Sequence, residues 1–292
     1  MYFIKLFVAI LPVAVLIAFV YSRCKDKKVD FKILALLFGL GVLSRYPIGF
    51  VQGPVTDAIF AMFSPEAKDL FVNGPKEMYT LETYVLTIIM HLISAALIEE
   101  GFKFCILAFV TKKFNVIKNL YDGVLCSAFV SLGFAVYENI LFTLKKGVAV
   151  GFLRAFTSIP GHLFYAVMMG YLFSMYIVKR RAEAEEKRLV NSGMINRGNE
   201  LISCRKELVL SLFVPISFHA IFNFGSYTVY GAGILIYFLI TILFKYIYSF
   251  SKIIKISKNN STVDDSAKEI LKKKYSQVWF NNDKTDVDED LL

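Results

Sequence analysis

The sequence predicts an all-α fold, a polytopic membrane helix bundle with about seven transmembrane helices. Of 292 residues, 56% are hydrophobic and 28 are phenylalanine, and the mean hydropathy is +0.55. Soluble globular domains are less apolar than this. A bilayer core about 30 Å thick requires roughly 20 apolar residues in helical form. Seven stretches approach that length, at 3–20, 31–51, 84–110, 120–144, 149–178, 207–227 and 231–250.

The distribution of lysine and arginine predicts the orientation, because basic loops are retained on the cytoplasmic side of a membrane. The basic residues after the first, third, fifth and seventh stretches are Arg23, Lys25, Lys27 and Lys28, then Lys112, Lys113 and Lys118, then Lys179, Arg180, Arg181, Lys187 and Arg188, and finally Lys252, Lys255 and Lys258. Alternate loops are therefore basic, so the N-terminus is expected outside and the C-terminus in the cytoplasm. The net charge of +9 follows from this bias. Basic residues interleaved with aromatics on a soluble face would be needed for nucleic-acid binding, and we expect no nucleic-acid partner.

The connecting segments are assigned by composition. Residues 52–83 contain several prolines and are predicted to form an outer loop with a short amphipathic piece around 54–63. The stretch KRRAEAEEKR opens the cytoplasmic loop 179–206 and is predicted to prolong the fifth helix beyond the bilayer. The chain thus divides into a membrane-embedded helical domain at 1–250 and a polar cytoplasmic tail at 251–292, with a helical stretch near 264–280.

Three ionisable residues, Glu99, Glu100 and Lys103, interrupt the third apolar stretch in the sequence ALIEEGFKFCIL. An ionised carboxylate near the bilayer centre costs about 2.5–3.5 kcal/mol, and such groups normally face the bundle interior or a hydrated cavity. Lys103 lies four residues after Glu99 and three after Glu100, so it can neutralise one of the two carboxylates. The other requires a further partner, a proton or water. A purely structural salt bridge that sets helix packing is the alternative explanation.

The next three helices also carry polar groups. The fourth contains Glu138 beside Asn139, the fifth contains His162, and the sixth contains His219 and Asn223 one helical turn apart. Each of them alone is typical of hydrogen bonding between packed membrane helices. Polar groups on four successive helices together predict a shared pocket that is reachable from outside.

The residue types in this pocket favour water as the nucleophile, since no serine or cysteine is paired with them. A buried glutamate can act as a general base. His162, His219 and Glu138 could hold a divalent metal such as zinc and leave an open position for water. Alternatively, the histidines could polarise a carbonyl without a metal, with Asn223 donating to the developing oxyanion. The HExxH zinc motif is absent from the sequence, so metal dependence stays open.

The order and spacing of these motifs resemble the PrsW family of intramembrane proteases, distant relatives of the CAAX prenyl endopeptidases and bacteriocin-immunity membrane proteins. The motifs are Glu99-Glu100-x-x-Lys103, Phe134-Ala135-x-x-Glu138-Asn139, His162 followed by Phe164 and Gly170, and His219-x-x-x-Asn223. The resemblance covers about residues 84–227, which it marks as the catalytic core.

The resemblance implies hydrolysis of a peptide bond in a membrane-anchored protein substrate, such as an anti-sigma factor, near the outer face of the cell membrane. It implies a catalytic set in which glutamates and histidines activate water. That set is Glu99, Glu100, Glu138, His162 and His219, with Asn223 completing it and Lys103 and Asn139 in support. Relatives have been classed both as metalloproteases and as glutamate-type proteases. His91 falls outside the motifs and is expected to pack.

Two alternatives to a protease are compatible with the same residues. A proton- or ion-coupled transporter also builds relays from intramembrane glutamate, lysine and histidine, but such proteins often show two related halves, which this sequence lacks. A catalytically idle membrane interaction or immunity protein would keep the fold without the chemistry. Substitution of Glu99 or His219 separates the three, because only a protease would lose substrate cleavage.

Overall fold

The computed structural model describes residues 2–24, 29–195, 201–229, 233–259 and 261–281. Within these ranges the regular structure is helical. The α-helices are α1 (Tyr2–Ser22), α2 (Phe31–Leu43), α3 (Arg45–Ala61), α4 (Pro65–Asn73), α5 (Leu81–Ile89), α6 (Ile98–Phe114), α7 (Leu120–Lys146), α8 (Val148–Phe156), α9 (Ser158–Asn191), α10 (Arg205–Thr228), α11 (Gly233–Ser257) and α12 (Val263–Asn281). Lys25, Lys27 and Lys28 of the first basic loop and residues 282–292 of the predicted tail lie outside the described residues.

Seven helical segments of the described chain are long and apolar enough to cross a membrane, which confirms the predicted all-α bundle. They are Tyr2–Ser22, Phe31–Ala61, Leu81–Phe114, Leu120–Lys146, Val148–Asn191, Arg205–Thr228 and Ile236–Ser257. The protein is therefore a multi-pass membrane protein. The basic stretch after the fifth span continues α9 as far as Asn191, as its composition predicts.

The segment expected to be an outer loop at 52–83 is largely helical. α3 continues the second span to Ala61, and α4 follows after a short turn. The turn is well specified by sequence, because Pro65 occupies the first turn of α4 and the Ser64 hydroxyl accepts a hydrogen bond from the Ala67 amide. Glu82 at the start of α5 accepts from the Ser64 amide and hydroxyl, each at 2.8 Å. Of the prolines that predicted a loop, Pro65 thus begins α4, whereas Pro54 lies inside α3.

α7 is the central helix of the bundle, with 78% of its apolar window buried, compared with 22% for α1 and 17% for the last span. Glycines allow its neighbours to approach closely. A Cβ on Gly170 of α9 would lie 2.3 Å from the carbonyl oxygen of Gly123 in α7, so the two backbones touch there. Small residues at contact points are what membrane helices use to pack in the absence of a hydrophobic driving force. This packing fixes α7 and α9, which carry Glu138 and His162.

A π-helical segment, Met90–Leu97, joins α5 to α6 within the third span. The wider turn changes which face of the helix points into the bundle, and π-helical turns are frequent at functional sites. Glu99 and Glu100 follow directly, in the first turn of α6.

The extension of α9 is covered by α12. Val178, Ala182 and Leu189 of α9 form a small core with buried residues of α12. The buried carboxylate of Glu186 accepts hydrogen bonds from the Lys274 ammonium and the Tyr275 hydroxyl, both at 2.6 Å. Burial, and then the bond to Glu186, raise the pKa of Tyr275 to about 12, so its phenol stays a donor at neutral pH. The part of the predicted tail that the structure describes is therefore packed helix.

Candidate active site

The centre of the site is the first turn of α6. Glu99, Glu100 and Lys103 are all buried, and their side chains point into the bundle. The Lys103 ammonium lies 2.8 Å from Oε1 of Glu100 and 4.1 Å from the centroid of the Phe134 ring. Lys103 thus neutralises Glu100, its partner three residues earlier, and Glu99 is the carboxylate left over.

His219 of α10 connects the two glutamates. Its Nδ1 lies 2.9 Å from Glu100 Oε1, and its Nε2 lies 3.9 Å from Glu99 Oε2. Because Nδ1 faces a carboxylate oxygen of Glu100, which can only accept, Nδ1 is the donor in this bond. The ring is held by stacking on Tyr165, with the centroids 4.8 Å apart and the planes 12° from parallel. The ring of His219 is therefore fixed with Nε2 turned towards Glu99.

A second ionic cluster surrounds His162 of α9. Its Nε2 lies 3.1 Å from Oε2 of Glu138, and the same oxygen accepts a 2.5 Å bond from Arg154 of α8. Its Nδ1 lies 3.3 Å from the Lys103 ammonium. Since an ammonium can only donate, Nδ1 is the acceptor and Nε2 donates to Glu138. Both nitrogens of His162 are therefore engaged by protein groups.

Lys103 joins the two clusters, so the structure brings together the five residues predicted to form the catalytic set. The His162 and His219 rings lie 5.7 Å apart, at nearly a right angle. Asn139 faces away from them, donating to the Ala9 carbonyl at 3.1 Å and accepting from Arg154 Nε at 3.2 Å. Its contribution is to orient Arg154.

Asn223 lies one turn beyond His219 on α10 and is half-buried. Within the described residues its side chain makes no hydrogen bond to the protein, so its amide is available to a bound molecule.

Three ligand atoms in the site are placed to share a metal ion. One atom each from Glu99, Glu100 and His219 lies within 4.8 Å of the others. Glu99 Oε2 and Glu100 Oε2 are buried and lack a hydrogen-bond partner within the described part of the chain. Buried carboxylate oxygens without partners are costly unless something binds them, and oxygen and imidazole ligands suit zinc. The residues present fit a divalent cation.

This trio differs from the predicted ligand set of His162, His219 and Glu138. The physical reason is that His162 already uses both ring nitrogens, on Glu138 and on Lys103. Charge balance points the same way. Among the described residues, three carboxylates, Glu99, Glu100 and Glu138, face two cations, Lys103 and Arg154, and Glu99 is the carboxylate that pairs with neither cation.

Sequence reasoning missed Arg154 and Gln52. Arg154 lies inside a predicted apolar stretch, so the rule that intramembrane charges are functional could have selected it. Gln52 donates to Glu99 Oε1 at 3.4 Å and accepts from Arg45 at 3.2 Å. It was assigned to the outer loop, and no motif marked it. His91, expected to pack, contacts the rings of Phe71 and Tyr227.

Comparison with known proteins decides the family. A family profile described as PrsW family intramembrane metalloprotease matches residues 30–248. The chain belongs to the PrsW family. It is therefore an intramembrane protease. Membership in this family argues against the alternative of a proton- or ion-coupled transporter. The PrsW match extends further than the predicted 84–227 and includes α2 and α3, which carry Arg45 and Gln52.

Individual PrsW relatives support the same assignment. Protease PrsW of Oceanobacillus iheyensis is 27% identical over 215 residues, which is 74% of this chain and 79% of the relative. Protease PrsW of Clostridioides difficile is 31% identical over 53% of this chain and 59% of its own length. Protease PrsW of Bacillus subtilis is 33% identical over 45% of this chain and 51% of its own length. No solved structure matches the chain.

Proposed function

We propose that this PrsW protein hydrolyses a peptide bond of a membrane-anchored protein, such as an anti-sigma factor, near the outer face of the cell membrane. The observation that carries the proposal is the pair of buried carboxylate oxygens on Glu99 and Glu100 that accept no hydrogen bond within the described residues and lie close to His219. A site of this kind is built to hold an ion and a water molecule rather than to stabilise the fold.

The roles of the residues follow from their partners. Glu99 lacks a lysine or arginine partner at salt-bridge distance within the described chain, so it is the carboxylate suited to accept a proton from the attacking water. Glu100 is already neutralised by Lys103 and orients His219 through Nδ1. Asn223 makes no side-chain hydrogen bond within the described residues, so its amide is suited to donate to the carbonyl oxygen of the substrate as negative charge develops there.

Glu138 and His162 act as positioning residues. Their mutual bond, with Arg154 on one side and Lys103 on the other, holds the Lys103 ammonium against Glu100. Glu99, Glu100 and His219 would hold a divalent metal. When bound, that metal supplies a Lewis acid that polarises the substrate carbonyl. The orientation towards the outer face rests on the basic loops at the other ends of these helices.

The proposal is tested by mapping new protein termini in membranes of cells that express the wild-type chain, Glu99→Gln or His219→Ala. The wild type should produce termini within or beside transmembrane segments of a few proteins. Each variant should lose them by about 10²–10⁴-fold, the typical contribution of a general base, while accumulating normally. Glu66→Gln, which changes an acidic residue in the first turn of α4, is the matched control. Termini that persist in both active-site variants would refute the proposal.

Addition of a chelator to purified enzyme separates the two chemical possibilities. Loss of cleavage that is restored by a divalent metal supports the ion site at Glu99, Glu100 and His219. Cleavage that is unaffected would assign the chemistry to the glutamate and water alone.

A further inference from the structure

A large groove lies at the opposite end of the bundle from the active site. It has a volume of about 940 Å³ and is bounded by the end of α6, the following turn, α9, and the start of α12. This volume is at the upper end of the range for small-molecule sites, about 300–1,000 Å³. Along α6, the groove runs from Phe104, four positions after Glu100, to Lys112, twelve positions or roughly 18 Å after it. Its basic rim thus lies apart from the active site, and Glu99, Glu100, His162 and His219 do not line it.

The rim of the groove is basic. Lys112, Lys118, Arg180 and Arg181 line it, together with a single acidic residue, Asp264. Arg181 donates to Asp264 at 2.9 Å. Lys112, Lys118 and Arg180 are exposed and form no ion pair within the described residues. Three cations from three different segments therefore line one rim, and none of them forms a salt bridge within the described residues.

The floor of the groove is apolar. Phe104 and Phe173 form its base in an edge-to-face contact with centroids 5.6 Å apart, and Ile177 and Leu208 extend it. Cationic groups bind phosphate strongly, arginine through a planar fork and lysine as a point charge. Apolar surface beside such a rim suits an acyl chain. A soluble anion would gain only from the rim, whereas an amphiphile uses both parts.

We propose that this groove binds an anionic glycerophospholipid, with the phosphate among Lys112, Lys118 and Arg180 and an acyl chain along Phe104, Phe173 and Ile177. The predicted cytoplasmic position of the rim places it at the level of the lipid headgroups. Basic pockets between helices on that side of a membrane are suited to anionic headgroups.

Lipid binding in this groove would also affect how α12 is held. The Val263 amide donates to the Lys118 carbonyl at 2.8 Å, so the start of α12 is attached to the same turn that supplies Lys118. A lipid bridging Lys118 and Arg180 ties the α6–α7 turn to α9 beneath α12. The lipid thus holds together the elements on which α12 rests.

The test is native mass spectrometry of the purified full chain in neutral detergent with short-chain phosphatidylglycerol. Phosphatidylcholine of the same chain length and sn-glycerol 3-phosphate are comparison probes. Phosphatidylglycerol should bind in preference to both. A triple variant, Lys112→Gln with Lys118→Gln and Arg180→Gln, should lose roughly 100-fold in affinity, since each cation near an anionic headgroup contributes about a factor of five.

The matched control removes three exposed cations outside the groove, by Lys113→Gln, Lys258→Gln and Lys272→Gln. It should bind as the wild type does. Equal losses in the two triple variants would reduce the effect to general surface charge and overturn the proposal. Binding of sn-glycerol 3-phosphate as tightly as phosphatidylglycerol would overturn it in favour of a soluble phosphate site. Because the measurement does not involve proteolysis, its outcome is independent of the proposed function.

Discussion

At the scale of residues, two buried lysines show that the effect of an intramembrane charge on stability depends on the groups that contact it. Lys103 has a carboxylate partner in Glu100 at 2.8 Å. Lys245 of α11 is buried, and its ammonium lacks a hydrogen-bond partner within the described chain, lying instead 3.0 Å from the centroid of the Phe222 ring. Removing one partner of a buried ion pair leaves the other charge uncompensated, whereas removing a solitary buried charge relieves a cost.

We therefore predict opposite effects for two lysine-to-methionine substitutions, which keep an unbranched side chain one atom shorter and remove the charge. Lys103→Met should lower the free energy of unfolding by about 3–5 kcal/mol, because Glu100 stays buried without its cation. Lys245→Met should leave thermal stability unchanged or raise it. Thermal unfolding in detergent measures both. A loss for Lys245→Met as large as that for Lys103→Met would show that Lys245 has a stabilising partner.

At the scale of elements, close contacts between backbones position the helices of the site. The Gly123–Gly170 contact holds α7 against α9, and the groups that a Cβ would meet there are backbone atoms, which cannot move aside without separating the helices. The geometry between Glu138 on α7 and His162 on α9 depends on that separation.

Gly170→Ala should therefore destabilise the protein by about 1–3 kcal/mol, the usual cost of overpacking, and should reduce cleavage by separating Glu138 from His162. Gly39→Ala is the control, because a Cβ on Gly39 of α2 meets nothing within 4 Å. Thermal unfolding and substrate cleavage should both be measured. Wild-type values for Gly170→Ala would mean that α7 and α9 tolerate a wider separation.

At the scale of the whole molecule, charge is distributed along the bundle axis. The active site lies towards the starts of α6 and α9, whereas Lys112 and Arg180 lie towards the opposite end of these helices. The basic loops predict that the latter end is cytoplasmic, which places the proposed proteolytic site nearer the outer face and the proposed lipid groove on the inner side.

Single cysteines introduced into a variant with its four cysteines replaced by alanine test this orientation. Ser64→Cys, in the turn before α4, should react with a membrane-impermeant maleimide in intact cells. Ser192→Cys, at the end of α9, should react only after permeabilisation. The reverse pattern would invert the orientation and place the active site towards the cytoplasm.

The sequence alone determined the seven-helix bundle, and it selected the glutamates and histidines that the structure brings together at the proposed site. Both depend on local properties, since apolar length and unexpected charge are visible without knowing any contact. It erred where apolar length gave no signal, at α3 and α4, because Pro54 inside α3 and Pro65 at the start of α4 resemble the prolines of a loop.

Only the tertiary structure decided which charges are paired. Spacing along α6 allowed Lys103 to reach either glutamate, and the packing of α9 and α10 against α6 selected Glu100 by adding His219 and His162 to the same cluster. Glu99 is the carboxylate without a lysine or arginine partner among the described residues, and this and the contribution of Arg154 follow from contacts between residues distant in the chain. Such contacts are set by how the helices pack, which no local pattern records.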